Sequence, residues 1–143
     1  MKHIKFNKKF ETAILTYAKQ TTLRKLPYAY NIGDYVEIII VDIGKVAVAK
    51  ITDICKFSTL LNVGNTKDSI AKSDGFDNFD ELCFFMDKTY GKGMYDLNKF
   101  YRIKFEITET FEHPQRSIFY EKHPWNFGNG AQKTENYARV FCL

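Results

Sequence analysis

Three stretches place side chains that can do chemistry at element junctions or in a loop. Lys19-Gln20-Thr21-Thr22-Leu23-Arg24 lies where a helical pattern hands over to a β-favouring one. In an extended chain Thr22 and Arg24 project to the same face, and Lys19, at the preceding bend, can swing toward them. An ammonium, a hydroxyl and a guanidinium converging at a junction make an anion or nucleotide site. Spacing alone also fits a solvated strand end with ordinary surface cations, which is the commoner arrangement. The second stretch is Ala71-Lys72-Ser73-Asp74-Gly75-Phe76. Asp74 before a glycine is most often a turn or helix-opening residue. In the third, Trp125 and Phe127 flank Asn126 in a glycine-rich loop near Lys122, His123 and Lys133. Exposed aromatics among cations suit base stacking, although the same rings more commonly pin a hairpin to its domain. His113, His123 and Cys142 lack paired-ligand spacing, so no metal is expected. Nothing in the sequence calls for a cofactor.

These groups need a scaffold, and composition bounds it. At 143 residues the chain is long enough for one domain with a real core. Hydrophobic residues at 45% and charged residues at 27% exclude a disordered chain. The 16% aromatic content favours strands and a compact barrel. A formal net charge of +4 permits an anionic partner without demanding one. The longest purely aliphatic run is Ile38 to Val41, far short of the roughly 20 residues of a membrane span, so no membrane partner is expected. Cys55, Cys83 and Cys142 are odd in number and widely spaced, which speaks for a reducing, cytoplasmic compartment.

The patterning predicts a short strand at Ile4 to Phe6, a helix from Lys8 to Ala18 and a β-favouring stretch at Thr21 to Leu23. A strand from Tyr35 to Val41 follows, then a turn at Asp42 to Lys45. Val46 to Phe57 reads as a strand long enough to need a bend or bulge. Residues 56 to 67 look irregular, and a short helical piece is expected at Ser69 to Ser73. Asn78, three residues before Glu81, resembles a capping box opening a helix with Phe79, Leu82, Phe85 and Met86 on its apolar face and Gly91 at its end. Phe100 to Thr110 alternates cleanly, as in a half-buried antiparallel strand. From Phe111 the chain reads as an added hairpin, with strands at Ser117 to Glu121 and Tyr137 to Cys142. The expected class is α+β, with several adjacent antiparallel pairs.

Taken in order, these motifs resemble the ASCH domain family, a branch of the PUA-like β-barrels. The residues that carry the resemblance are Lys19, Thr22 and Arg24, then Gly33-Asp34, Asp74-Gly75-Phe76, Tyr90-Gly91, and the Phe100, Ile103, Phe105 strand. Together they span about Ile4 to Thr110. The resemblance implies a domain over residues 1–110, a small PUA-like barrel with flanking helices; residues 111–143, read above as a C-terminal β-hairpin extension packed on it, have no counterpart in the minimal family domain. The resemblance also implies a cleft beside the first helix that binds RNA or a modified nucleoside, lined by Lys19, Thr22, Arg24 and Asp74, with Gly75 and Phe76 as further contacts; Trp125 of the extension is a candidate contact from its own loop chemistry. One bacterial subgroup removes the acetyl group from acetylated cytidine with a Lys, a Thr and a Glu, and another member is linked to RNA cleavage. Carried over, that amidohydrolase trio falls on Lys19, Thr22 and Asp74, with Asp in place of Glu.

Such a mechanism is physically reasonable. Thr22 would be a nucleophile once a base takes its proton. Lys19 can be that base if desolvation lowers its pKa, although a nearby carboxylate opposes this. Arg24 or backbone amides would stabilise the oxyanion. A protein-interaction role for the hairpin beyond Phe111 is the third class of function.

Overall fold

A computed structural model describes residues 1–25 and 29–115 of the chain, the last three by backbone alone. Five strands and four α-helices follow one another in the order β1 (Lys2–Phe6), α1 (Glu11–Leu15), β2 (Thr21–Arg24), β3 (Tyr35–Ile40), β4 (Gly44–Lys56), α2 (Phe57–Asn62), α3 (Lys67–Ser73), α4 (Phe79–Tyr90) and β5 (Tyr101–Gln115). The fold is α+β. The strands form one mixed sheet in the order β1-β3-β4-β5-β2, curled into a half-barrel.

The curl has a local cause. The β4–β5 ladder shifts register at Lys45/Ala47, Val48/Ala49 and Ile51/Asp53, and the β3–β4 ladder at Ile38/Ile39. Each extra residue bends its strand and increases twist. This is the bend that the length of β4 demands. On β5, Ile103 and Phe105 are buried while Lys104 and Glu106 are exposed, as the alternation predicts.

One core fills the concave side. Ile4 and Phe6 of β1, Val36, Ile38 and Ile40 of β3, and Ala47, Ala49 and Ile51 of β4 join Ile70, Leu82 and Met86 of the helices. Each large apolar side chain buried there contributes roughly 1.5–3 kcal/mol of transfer free energy. Asn78 caps α4 by accepting from the Glu81 amide at 2.9 Å, and Gly91 closes it at φ 95°. The reciprocated capping box belongs instead to α3, between Thr66 and Ser69.

Three expectations are corrected. The first helix is a 3₁₀ turn at Lys8–Phe10 followed by only five α-helical residues. Thr16 turns its hydroxyl back to the Thr12 carbonyl, and Tyr17 takes a left-handed φ of 64° that ends the helix. Residues 57–62, expected irregular, form α2, whose cap Lys56 offers no side-chain signal. The patterning says nothing of the partner of β1, which pairs with β3 in parallel, because the chain from β1 passes through α1 and β2 at the far edge before returning. β5 does not stop at Thr110: it runs to Gln115, which pairs with Lys45. The expected strands at 117–121 and 137–142, and Trp125, lie outside the described residues.

Candidate functional site

The site begins at the end of α1. The left-handed Tyr17 reverses the chain, and the Lys19 amide returns to the Ala13 carbonyl at 2.8 Å. This tucks the Lys19 side chain fully inside. Its Nζ donates to the carbonyls of Thr21 at 2.8 Å and Asp74 at 2.5 Å. It also sits 4.7 Å from the ring centre of Phe10 and 5.6 Å from that of Phe6. Carbonyl oxygens and ring faces are the partners a desolvated ammonium needs.

Asp74 arrives from the other side of the sequence, as the C-terminal cap of α3. Gly75 has φ 97°, and a Cβ there would meet Lys19 Cδ at 3.3 Å and Phe10 Cδ1 at 3.5 Å. A glycine is therefore required both by the backbone angle and by the closeness of the lysine stem. The Asp74 carboxyl is completely buried. Its Oδ1 accepts a short hydrogen bond from the Thr21 hydroxyl, which also lies 3.2 Å from Ser73 Oγ. Asp74 Oδ2 has no hydrogen-bond partner. Desolvation pushes the Asp74 pKa above the ordinary carboxylate value, against the opposing pull of Lys19, the Thr21 hydrogen bond, Arg102 and Arg24.

Thr22 and Arg24 occupy the other face of β2. Thr22 is fully buried, and its Oγ1 accepts from Arg24 Nε at 3.2 Å. The Arg24 guanidinium lies 5.4 Å from the Phe6 ring centre, and its Nη2 donates to the Lys5 carbonyl of β1 at 2.7 Å. Phe6 is thus flanked by Lys19 and Arg24. Gly75 is exposed, whereas the Phe76 ring is buried edge-on against Phe10 with centroids 5.5 Å apart.

The fold therefore forms two polar groups on either side of the Phe6 ring: Lys19, Thr21 and Asp74, in which Lys19 bonds the Asp74 backbone carbonyl across 55 residues of sequence, and Thr22 with Arg24. The hydroxyl on the carboxyl is that of Thr21, while Thr22 serves Arg24. Lys19, Thr22 and Asp74 are all fully buried. Sequence reasoning did not select Thr21, Ser73, Phe6, Phe10 or Arg102. Strand alternation says that Thr21 and Thr22 face opposite ways, but which of them meets Asp74 is decided by where α3 docks. Among the described residues no group of three or more His, Cys, Asp or Glu side chains is arranged to hold a metal. Cys55 and Cys83 are unpaired thiols, and no described helix is long and apolar enough to cross a membrane.

No protein-family model matches this chain, and no curated protein matches it in sequence. Solved structures do. Protein EF3133 from Enterococcus faecalis V583, described under the family model DUF984, superposes with a TM-score of 0.54 at 15% identity, over 82% of this chain and 86% of its own. The hypothetical protein PH0355 superposes with a TM-score of 0.50 at 13% identity, over 73% of this chain and 99% of its own. At such identities the likeness is one of fold.

Proposed function

We propose that this chain is an ASCH domain of the PUA-like group that binds RNA or a modified nucleoside through Lys19, Thr22, Arg24 and Asp74. The half-barrel and its likeness to small solved domains support the class. The carrying observation is the meeting of Lys19 with Asp74: a buried ammonium bonded to the Asp74 backbone carbonyl, close to a buried carboxyl, with Arg24 across the Phe6 ring. Such groups are costly to bury, and a ligand that carries both donors and acceptors fits them. Arg24 and Lys19 supply positive charge for a phosphate, and Asp74 supplies an acceptor for a base.

A thermal-shift screen over nucleosides and short RNA tests the reading, because a ligand that binds only the folded form raises its melting temperature. RNA binding that weakens steeply between low and moderate salt is expected where phosphates are contacted. Absence of any shift with nucleosides, together with no RNA binding at low salt, removes the proposal.

The contact between the Asp74 carboxyl and a threonine hydroxyl, beside a lysine, favours one second reading: a small amidohydrolase acting on acylated cytidine. A threonine oxygen would attack the acyl carbonyl, its proton passing to a neighbouring base and on to the cytidine amine as the C–N bond breaks, after which water would cleave the threonine ester to release the carboxylate. Acetate release from acetylated cytidine tests this. Thr22→Val and Thr21→Val in parallel tell which hydroxyl is the nucleophile, and turnover that survives Lys19→Ala sinks the mechanism.

A further inference from the structure

Two buried side-chain polar atoms among the described residues have no hydrogen-bond partner: Asp74 Oδ2 and Arg102 Nε. Their chemistry is complementary, one an acceptor and the other a donor. Both residues reach the same stretch of β2. Arg102 on β5 is paired with Leu23 on β2, two residues from Thr21, whose hydroxyl holds Asp74 Oδ1. Diagonal neighbours on one face of an antiparallel pair, as Thr21 and Arg102 are, lie roughly 7–8 Å apart, and the Arg102 charge pulls the Asp74 carboxyl toward its ionised form. Arg102 approaches one other carboxylate, Asp53, at 4.0 Å through Nη2, which leaves Nε unused. An orphaned buried donor and an orphaned buried acceptor are each costly, and one planar group reaching both can satisfy both.

We infer that Asp74 and Arg102 together read an amide-like or amidine-like edge of a nucleobase, Asp74 Oδ2 accepting an N–H and Arg102 Nε donating to the neighbouring ring nitrogen or carbonyl oxygen. This rests on the nucleoside reading above and names the ligand edge that the site selects. A phosphate fits the position poorly, since the Asp74 oxygen would repel it. A metal ion fits poorly as well, with one carboxylate and cations on several sides. Both atoms lie under the surface, so the ligand enters through local opening, and association is slower than for an open cleft.

The test uses the full chain and two matched pairs of probes: cytidine with N4,N4-dimethylcytidine, and uridine with 3-methyluridine. Methylation deletes the N–H and leaves the ring and sugar. Calorimetric titration of the unaltered protein is expected to show each methylated probe binding about tenfold or more weakly than its parent. In Asp74→Asn the amide oxygen stays with Thr21 and an NH₂ replaces Oδ2, so the preference for the unmethylated probe is expected to vanish. Arg102→Lys keeps the charge but moves the donor, and a loss of about tenfold for cytidine is expected. Equal binding of methylated and parent probes by the unaltered protein overturns the inference while leaving the nucleoside reading intact. The inference falls in the same way if Asp74→Asn, shown folded by its melting curve, keeps the preference. Absence of binding by all four probes instead overturns the nucleoside reading, and the inference with it.

Discussion

Replacing Lys19 with Met removes a buried charge while preserving most of the side-chain volume. The ammonium donates to two buried carbonyls, those of Thr21 and Asp74. A hydrogen bond to a charged group is worth about 1.5–3 kcal/mol net, so losing two costs about 3–6 kcal/mol. The ring contacts with Phe6 and Phe10 survive in part, because a thioether also packs favourably on aromatics. The loss also withdraws the positive charge that opposes desolvation at Asp74, which places the outcome in the upper half of that range at neutral pH. For a chain of 143 residues this lowers the melting temperature by roughly 10–20 °C. Urea denaturation followed by circular dichroism at pH 7 measures it directly. A double-mutant cycle with Asp74→Asn then reports the electrostatic coupling. A loss below about 1 kcal/mol would refute the view that the Lys19 ammonium is a structural centre of the site, since neither carbonyl would then depend on it.

Three further outcomes follow from the geometry. The raised Asp74 pKa means that the folded state holds this proton more tightly than the unfolded chain. Its contribution to stability is therefore present below the ordinary carboxylate range and is lost as pH rises through the raised value. Groups such as Asp34, held low by the hydrogen bond from Lys2, act with the opposite sign, so the difference between the native chain and Asp74→Asn isolates the effect. That difference should turn against the native chain from pH 4 to pH 8, and a flat difference in urea midpoints contradicts the assignment. Gly75→Ala should cost about 1–3 kcal/mol, from the φ of 97° and the contact with the Lys19 stem; an unchanged melting curve would show that the turn relaxes freely. Arg24→Lys should cost about 1–2 kcal/mol, because a point ammonium cannot reach Thr22, the Phe6 ring and the Lys5 carbonyl together. Hydrogen exchange should rise in residues 2–6 above the global change, and uniform protection there would count against it.

Much of the scaffold was legible because burial writes a period into the chain. The alternation from Tyr101 to Ile107 names the inward face of β5, and the Asn78 cap and Gly91 bracket α4 closely. The unusual length of β4 announces the bulges that curl the sheet. Period, however, reports which side of a strand is covered and not which strand lies beside it. The parallel pairing of β1 with β3 is therefore invisible locally. Helix α2 escapes a sequence reading because it is six residues long and opens after a lysine. At the site, Lys19, Thr22, Arg24 and Asp74 all stand out in the sequence, and the meeting of Lys19 with Asp74 is present. The choice of Thr21 as the hydroxyl on the carboxyl depends on a tertiary docking that neither residue encodes. Arg24 illustrates the same limit: its type suggests a ligand contact, yet its described hydrogen bonds are to Thr22 and to the Lys5 backbone.

β1 and β2 lie only fifteen residues apart in sequence yet form the two opposite rims of the sheet, joined across its open side by the Arg24 bond to Lys5. The opening segment of the chain therefore acts as a clasp over a three-stranded centre that is contiguous from Tyr35 onward. Any event that loosens it, whether cleavage, late docking during folding or loss of Arg24, bares the backbone of β3 and β5 at once. Two long unprotected strands of this kind are templates for intermolecular pairing. Resistance of this domain to aggregation is thus vested in its first twenty-four residues rather than in its core.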